Sequence, residues 1–184
     1  MAASPWRLSG CPQLYWGHRE ARGRTLVLPV GSIEDRPTGP MALDTLLALA
    51  TACLAAGQQG WLIAWPLGYG YSPAHRYWAG PRSIALLERL IGDIVSSLLS
   101  LEPRCLLVLD AHLGHEHTVR KAAEGSGAVY ANLWRLLERL GLRGWSRQLG
   151  FEAEAWRMLR EGRVHPLLVK AAERLADTCR RERE

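Results

Sequence analysis

The chain of 184 residues lacks a long apolar stretch, and it lacks the features that mark a membrane or exported protein. Gly, Arg or Asp interrupts the longest apolar runs within a few residues, so no segment is long enough to span a bilayer. Residues 1–7 do not show the charged and then apolar order of a signal peptide. We therefore expect a cytoplasmic protein with no membrane partner.

Cysteine is scarce and scattered along the chain. None of the four cysteines forms a Cys-x-x-Cys pair, which argues against a zinc site built from cysteine. Cys53 and Cys105 lie in apolar runs and are interpreted as small core residues. Free buried cysteines are typical of a reducing compartment, in agreement with a cytoplasmic location.

Lysine is almost absent, since Lys121 and Lys170 are the only two in a chain of formal net charge +5 and pI near 9.3. A basic chain can indicate nucleic-acid binding. Here, however, the Arg residues are spread along the sequence and mixed with Glu, as in Glu152–Arg163, which is typical of solvated helix faces. No aromatic and basic motif or known binding module is present, so we do not expect a nucleic-acid partner.

The composition is that of a globular protein, with 48% hydrophobic and 22% charged residues. Its length suits a single domain, residues 1–184, with a sizeable core. Short apolar runs bounded by turn residues predict buried parallel strands. These predicted strands are Thr25–Val30, Trp61–Pro66, Cys105–Asp110 and, as a fourth candidate, Gly127–Asn132.

Segments of helical period separate the strands, and Gly144 and Gly150 are interpreted as breaks between helices. Alternation of strands and helices favours a three-layer α/β/α fold with a mostly parallel sheet of about four strands. The predicted helices are Met41–Ala56, Ser83–Leu101, Glu116–Glu124, Trp134–Leu142, Phe151–Arg163 and Pro166–Arg181.

Polar side chains follow each of the first three strands. Because the carboxyl ends of parallel strands meet at one edge of a sheet, these groups are expected to lie together and to form a site. Half of the six histidines fall in the loop after the third strand. The candidate residues are Glu34 and Asp44 after the first strand, His75 after the second, and Asp110, His112 and His115 around the end of the third.

Each of these residues also has a structural explanation. Asp44 precedes an apolar helix and could be its N-cap, an interaction of about 1 kcal/mol. Glu34 could be a turn residue, and His115 could face water from the first turn of a helix. Taken singly, the structural explanation is the commoner one. Their joint occurrence at one edge of the sheet favours a functional site.

Glu34, Asp44 and His112 offer two oxygen ligands and one nitrogen ligand. Three protein ligands and an open position suit a catalytic Zn²⁺, and sites rich in carboxylates also accept Mn²⁺. A metal ion held in this way would lower the pKa of a bound water and polarise a carbonyl. The residues therefore predict a hydrolytic metal site.

Four segments together resemble the creatininase (creatinine amidohydrolase) family of metal-dependent cyclic-amide hydrolases. The segment 28–44 is similar to the opening signature Leu-Pro-x-Gly-Ser-x-Glu-x-His-Gly-Pro-His-Leu-Pro-Leu-x-Thr-Asp and is one residue shorter. Segments 69–81, 110–115 and 149–156 are similar to Tyr-Gly-x-Ser-x-Glu-His-x-x-Phe-Pro-Gly-Thr, Asn-Gly-His-Gly-Gly-Asn and, weakly, His-Ala-Gly-x-x-Glu-Thr-Ser. Their order and spacing agree over residues 24–156. The resemblance implies a three-layer α/β fold and assembly as a homo-oligomer, a hexamer or smaller.

The resemblance also implies two metal ions that share the aspartate of the first motif. Glu34, Asp44 and His112 would hold the first ion. At the second position Glu154 matches a family glutamate, but Arg36 replaces the family histidine and cannot ligate, since it stays protonated. Its fixed positive charge could pair with Asp44 or Glu34, or hold an anionic ligand. One Zn²⁺ or Mn²⁺ site is therefore expected, without a complete second one.

Two functions from different classes remain open. In the first, the protein is a metal-dependent amidohydrolase that cleaves a C–N bond of a cyclic amide or formamide. His75 or His115 would then transfer protons, and Arg36 would orient the carboxylate or phosphate of a small-molecule substrate or anionic ligand. In the second, the protein is a catalytically inactive relative that serves as a binding or assembly subunit.

Overall fold

A sheet of four parallel strands forms the centre of the computed structural model, which describes residues 11–36, 39–73 and 83–181. The order across the sheet is β2, β1, β3, β4. All six residues of β1 are buried, as expected for a strand that is covered on both faces. The strands are β1 (Thr25–Val30), β2 (Leu62–Ile63), β3 (Cys105–Asp110) and β4 (Val129–Asn132).

The first and third predicted strands match β1 and β3 at both ends, whereas β2 is much shorter than predicted. Its neighbour Trp61 donates its backbone N–H to Ala56 at the end of the preceding helix, so it belongs to the turn. Pro66 has no N–H to donate to the sheet. The chain contacts β1 again at Leu67, which forms an isolated bridge with Val30.

Seven helices cover the sheet within the part of the chain that the structure describes. Five of the six predicted helices agree closely with observed ones, but α6 begins six residues before its predicted start and passes through Gly150. A glycine inside an exposed helix is less favourable than alanine by only about 1 kcal/mol, so Gly150 does not end α6. The helices are α1 (His18–Ala21), α2 (Leu43–Gln59), α3 (Ile84–Leu99), α4 (Glu116–Gly125), α5 (Leu133–Arg139), α6 (Trp145–Arg160) and α7 (Pro166–Arg181).

Successive residues of each strand point to opposite faces of the sheet and so separate two hydrophobic clusters. Val27 and Leu107 pack in the cluster that contains α2, α5, α6 and α7. Leu26 and Leu106 pack in the other cluster, with α3 and α4. The prediction of a three-layer α/β/α fold with a four-stranded parallel sheet is therefore confirmed.

The interpretation of the cysteines as free core residues was wrong, because all four are paired. Cys11 is bonded to Cys53 of α2, and Cys105 at the start of β3 is bonded to Cys179 near the end of α7. The Cα atoms lie 5.6 and 6.3 Å apart, within the usual range for disulfides. The argument from free thiols to a reducing compartment therefore does not hold. Among the helices described, none combines the length and apolar character needed to cross a membrane.

Candidate metal site at the carboxyl edge of the sheet

The loop after β1 and the first turn of α2 are held in close contact by a glycine. A Cβ atom on Gly31 would lie 2.4 Å from the backbone nitrogen of Thr45, so only glycine allows this approach. The contact places Asp44, in the first turn of α2, beside the residues that follow β1. Asp44 is not the N-cap, since Ala42 holds that position, and its buried carboxylate points into the site instead.

Three predicted ligands come together at this edge of the sheet. Possible ligand atoms of Glu34, Asp44 and His112 all lie within 4.8 Å of one another. His112 Nδ1 is 2.9 Å from Asp44 Oδ2 and 3.4 Å from Glu34 Oε2. All three residues are buried, with exposed fractions of 3, 1 and 8% respectively. We call this group the triad.

Two buried serines fix the orientation of the triad, and sequence reasoning did not identify them. Ser32 donates a hydrogen bond of 2.9 Å to Asp44 Oδ2, and Ser72 donates one of 2.5 Å to Glu34 Oε2. Their hydroxyl oxygens also lie 3.2 and 3.0 Å from the two ring nitrogens of His112. Ser32 lies in segment 28–44 and Ser72 in segment 69–81, and the similarity of these segments to the family motifs could have identified both serines.

The guanidinium of Arg36 lies within the same cluster. Its Nη2 is 2.8 Å from Glu34 Oε1 and 2.5 Å from Asp44 Oδ1, and its Nη1 is 3.1 Å from Glu152 Oε2. The Arg36 side chain is only 7% exposed. Arg36 therefore pairs with both carboxylates of the triad and with Glu152, a third carboxylate that the sequence did not indicate.

Helix geometry explains why Glu152 joins the site and Glu154 does not. Residues two apart on an α-helix point about 200° apart, so a helix that directs Glu152 inward directs Glu154 outward. Glu152 is buried, whereas the side chain of Glu154 is 54% exposed. Glu154 Oε1 lies 3.8 Å from Arg157 Nη2, and its Oε2 lies 3.6 Å from His165 Nε2. The predicted ligand Glu154 is not brought to the triad.

The charges of the site do not balance. The carboxylates of Glu34, Asp44 and Glu152 face a single guanidinium, which leaves an excess of two negative charges before His112 is counted. Burial alone would lower the pKa of Arg36, but Asp44, Glu152 and Glu34 together raise it. Burial likewise opposes protonation of His112, yet its hydrogen bond to Asp44 and the nearby carboxylates raise its pKa. Burial raises the pKa of Glu152, against the opposing effect of Arg36.

The loop after β3 packs tightly against the ring of His112. A Cβ atom on Gly114 would lie 2.4 Å from His112 Nε2, so this position accepts glycine alone without moving the ring. The backbone N–H of His112 donates a 3.0 Å hydrogen bond to Asp110 Oδ1. The loop therefore fixes both the backbone and the ring of this predicted ligand.

His115, a predicted proton-transfer residue, has both ring nitrogens engaged by the protein. The backbone N–H of Tyr71 donates to Nδ1 at 3.2 Å, so Nε2 carries the hydrogen and donates to Asp110 Oδ1 at 3.0 Å. The side chain of His115 has no exposed surface. This geometry suits a residue that orients its neighbours. His75, the other predicted proton-transfer residue, lies outside the described residues.

The second oxygen of Asp110 is also satisfied within the protein. Tyr130 donates its hydroxyl to Asp110 Oδ2 at 2.8 Å, and the Asn132 side-chain amide donates at 3.4 Å. Burial and the charge of Asp110 raise the pKa of Tyr130, which keeps this hydroxyl a donor. Asp110, His115, Tyr130 and Asn132 form a closed group that we call the Asp110 network.

The triad fits a single divalent cation. It offers two carboxylates and one imidazole in a buried position, which is a ligand set suited to Zn²⁺ or Mn²⁺. Two serine hydroxyls orient these ligands, as the outer partners of metal ligands commonly do. When His112 is neutral, as a metal ligand must be, the excess of two negative charges equals the charge that such an ion would supply.

Comparison with known proteins supports the fold and the family. A family model described as creatininase, creatinine amidohydrolase, matches residues 14–175. A mutant creatininase complexed with creatine is 20% identical, with a TM-score of 0.72 over 90% of this chain and 94% of that chain. No curated protein sequence matches the chain.

Two further solved structures are described by their metal forms. A structure titled creatininase Mn is 22% identical, with a TM-score of 0.66 over 80% of this chain and 70% of that chain. A mutant creatininase of the Zn-Zn type is also 22% identical, with a TM-score of 0.64 over 83% of this chain and 72% of that chain. At this level of identity the likeness shows the fold alone.

Proposed function

The chain belongs to the creatininase family, since the family model covers most of its length, and we propose that it is an amidohydrolase with one catalytic divalent cation. Glu34, Asp44 and His112 would hold the ion. The observation that carries the proposal is the convergence of these three buried ligands within 4.8 Å. The substrate class is a small cyclic amide or formamide whose C–N bond is hydrolysed.

A Zn²⁺ or Mn²⁺ ion held by the triad would supply a water of lowered pKa and would polarise the amide carbonyl. The protein's own contribution is to hold the ligands in place. Ser32 and Ser72 orient Asp44 and Glu34 through the hydrogen bonds described above. A neighbouring structure that contains creatine supports a small-molecule ligand for this fold.

The roles of the two histidines differ under this proposal. His115 is a positioning residue, because its ring is enclosed between Asp110 and the backbone of Tyr71. By donating to Asp110, it fixes the carboxylate that binds the backbone of His112. His75 remains the candidate for proton transfer.

Arg36 balances charge in this proposal and does not bind the substrate. Both of its terminal nitrogens already contact carboxylates, so an anionic ligand would have to compete with Glu34, Asp44 and Glu152. Displacement of these carboxylates by an anionic ligand would instead favour the expectation that Arg36 orients a carboxylate or phosphate.

One observation favours the alternative, a catalytically inactive subunit for binding or assembly. Arg36 already neutralises part of the charge that would attract a metal ion, and it contacts both carboxylates of the triad. Such a protein would co-purify with a homologue that carries the complete histidine-containing motif. Assembly as a homo-oligomer, a hexamer or smaller, is part of both proposals.

The test is hydrolysis of cyclic amides and formamides by protein purified without a metal-affinity tag. Activity should depend on Zn²⁺ or Mn²⁺, and it should disappear in a Glu34→Gln variant, which removes one negative ligand. Glu154→Gln is the matched control, because this exposed glutamate undergoes the same change outside the site. Activity retained by Glu34→Gln would show that the site is misplaced. A metal-loaded protein inactive on every such substrate would support the subunit alternative.

A further inference from the structure

We infer that the guanidinium of Arg36 is a resident cation that occupies a second cation position and thereby limits the site to one metal ion. This inference deepens the proposed function and rests on it, because it concerns the number of ions that the same carboxylates accept. It assigns to Arg36 the role of a residue that determines metal stoichiometry.

The two carboxylates of the triad divide their oxygens between two sides. Glu34 Oε2 and Asp44 Oδ2 face the ring of His112, at 3.4 and 2.9 Å. Glu34 Oε1 and Asp44 Oδ1 face Nη2 of Arg36, at 2.8 and 2.5 Å. Each carboxylate therefore bridges two neighbouring positions, one beside His112 and one filled by the guanidinium.

Glu152 completes the second position. Its Oε2 lies 3.1 Å from Nη1 of Arg36, and its side chain is only 7% exposed. The position that Arg36 fills is thus surrounded by three carboxylate oxygens, from Glu34, Asp44 and Glu152. Oxygen ligands of this kind are those that Mn²⁺ accepts, and Zn²⁺ also binds them.

Burial makes a cation at this position necessary. Without one, three carboxylates would lie close together away from water, and their mutual repulsion would force proton uptake or local rearrangement. Arginine meets this need permanently, since it stays protonated and its planar fork reaches two partners at once. A metal ion would meet the same need only while bound.

Occupancy of the second position, together with charge, sets the expected number of ions. With Arg36 present, the excess of two negative charges matches one divalent cation. When one divalent cation is bound beside His112, removal of the guanidinium leaves one negative charge uncompensated and frees the position beside Glu152, so a second cation can enter. The Arg36→Ala variant opens the space, and Arg36→His also adds an imidazole, a common metal ligand.

The experiment measures metal per chain after saturation with Zn²⁺ or Mn²⁺ and removal of unbound ions. Wild type should retain one ion, and Arg36→Ala and Arg36→His should retain two. Arg36→Lys keeps the positive charge and should retain one. In Arg36→Ala, a further Glu152→Gln change should remove the second ion, whereas Glu154→Gln should leave it.

Thermal unfolding gives a second readout that does not depend on activity. Loss of a buried ionic partner should lower the unfolding temperature of metal-free Arg36→Ala by about 10 °C, and Zn²⁺ or Mn²⁺ should restore most of it. Arg135→Ala is the control, because Arg135 pairs with Glu116 with its side chain 48% exposed. Its unfolding temperature should fall by at most about 3 °C with no dependence on metal.

The outcomes separate this inference from the proposed function. One ion in wild type and still one in both Arg36→Ala and Arg36→His would overturn the inference and leave the proposed function standing. No ion in wild type would remove the proposed function. If Arg36→Ala folds only with metal present, its ion count decides, since two ions support the inference and one ion overturns it. If it does not fold at all, the ion count of Arg36→His decides.

Discussion

The triad and the Asp110 network are two buried polar groups at the same edge of the sheet, and they are satisfied in different ways. Asp110 receives hydrogen bonds from His112, His115, Tyr130 and Asn132, so both of its oxygens have protein donors. The triad carboxylates accept hydrogen bonds from two serines but also face a histidine and an arginine, and the site keeps two negative charges in excess. A carboxylate enclosed by neutral donors holds a loop, whereas carboxylates with unbalanced charge can hold a cation.

The two groups touch through their histidines, whose ring centroids are 4.7 Å apart at an interplanar angle of 73°. The contact lets the Asp110 network support the ring of His112 without contributing a ligand. Among the residues that the structure describes, Glu34, Asp44 and His112 are the single group of three or more whose ligand atoms converge. Substitutions in the triad are therefore expected to have effects that depend on metal, and substitutions in the Asp110 network effects that do not.

The largest effect on stability is expected from Asp110→Ala. It leaves the His115 and Tyr130 donors buried without an acceptor, which should lower the free energy of unfolding by roughly 3 kcal/mol or more. Urea denaturation measures this loss, and added Zn²⁺ or Mn²⁺ should not reverse it. Asp93→Ala, at an aspartate whose side chain is 75% exposed, should cost less than about 0.5 kcal/mol. If Asp110→Ala and Asp93→Ala lost the same free energy of unfolding, the structural role of the Asp110 network would be contradicted.

The next effect concerns metal removal from the triad. At about a hundredfold excess over its dissociation constant, Zn²⁺ or Mn²⁺ should raise the free energy of unfolding by about 2.7 kcal/mol, and a chelator should abolish this gain. Asp44→Asn should show no metal-linked gain, because it removes a charged ligand. Asp93→Asn should keep the gain in full. A gain that persists in Asp44→Asn would place the ion elsewhere.

Gly114→Ala should produce an intermediate effect through the ring of His112. The added Cβ would lie 2.4 Å from Nε2, so the ring must move, at a cost of about 2 kcal/mol. Metal affinity should fall by roughly 10- to 100-fold, as when an outer partner of a ligand is lost. Gly125→Ala is the control, because its Cβ meets nothing within 4 Å and the change should be neutral or slightly stabilising. Unchanged affinity in Gly114→Ala would argue against His112 as a ligand.

Ser72→Ala should have the smallest effect. Loss of one hydrogen bond to Glu34 should lower the free energy of unfolding by about 1 kcal/mol. Metal affinity, measured by titration, should fall about tenfold, because Glu34 and His112 lose a shared partner. Ser97→Ala on the exposed face of α3 should change neither quantity. The serine has no orienting role if both variants bind metal equally well.

The sequence predicted most of the sheet because its strands are short apolar runs with clear ends. The bounds of β1 and β3 followed directly from Thr25–Val30 and Cys105–Asp110. The triad followed from parallel topology, which brings the loops after β1 and β3 to the same edge. The length of β2 could not be predicted from the apolar pattern. Trp61 belongs to the preceding turn, and Pro66 has no N–H to donate to the sheet, so the strand is limited to Leu62–Ile63.

The inward position of Glu152 is indicated only by the phase of α6. The interpretation of Gly150 as a break hides this phase, and the motif similarity then favours Glu154. Glu152, Ala155 and Leu159 recur at intervals of three and four residues, which is the pattern of one helix face. Ala155 is buried and Leu159 packs against the core, so this pattern could have identified the inward glutamate.

The disulfides could not be predicted because the pairing depends on how distant elements pack. Cys105 and Cys179 are separated by 74 residues and meet only because α7 packs against β4, the neighbour of β3 in the sheet. Cysteine spacing does not encode such a contact.

The measurement that tests the central claim most directly is calorimetric titration of metal-free protein with Zn²⁺ and Mn²⁺. Wild type should bind one ion per chain, and His112→Ala should show no comparable binding. His165→Ala is the matched control and should bind like wild type, because His165 contacts Phe151 and Glu154, neither of which belongs to the triad. Absence of binding in wild type, or equally tight binding in His112→Ala, would contradict the account.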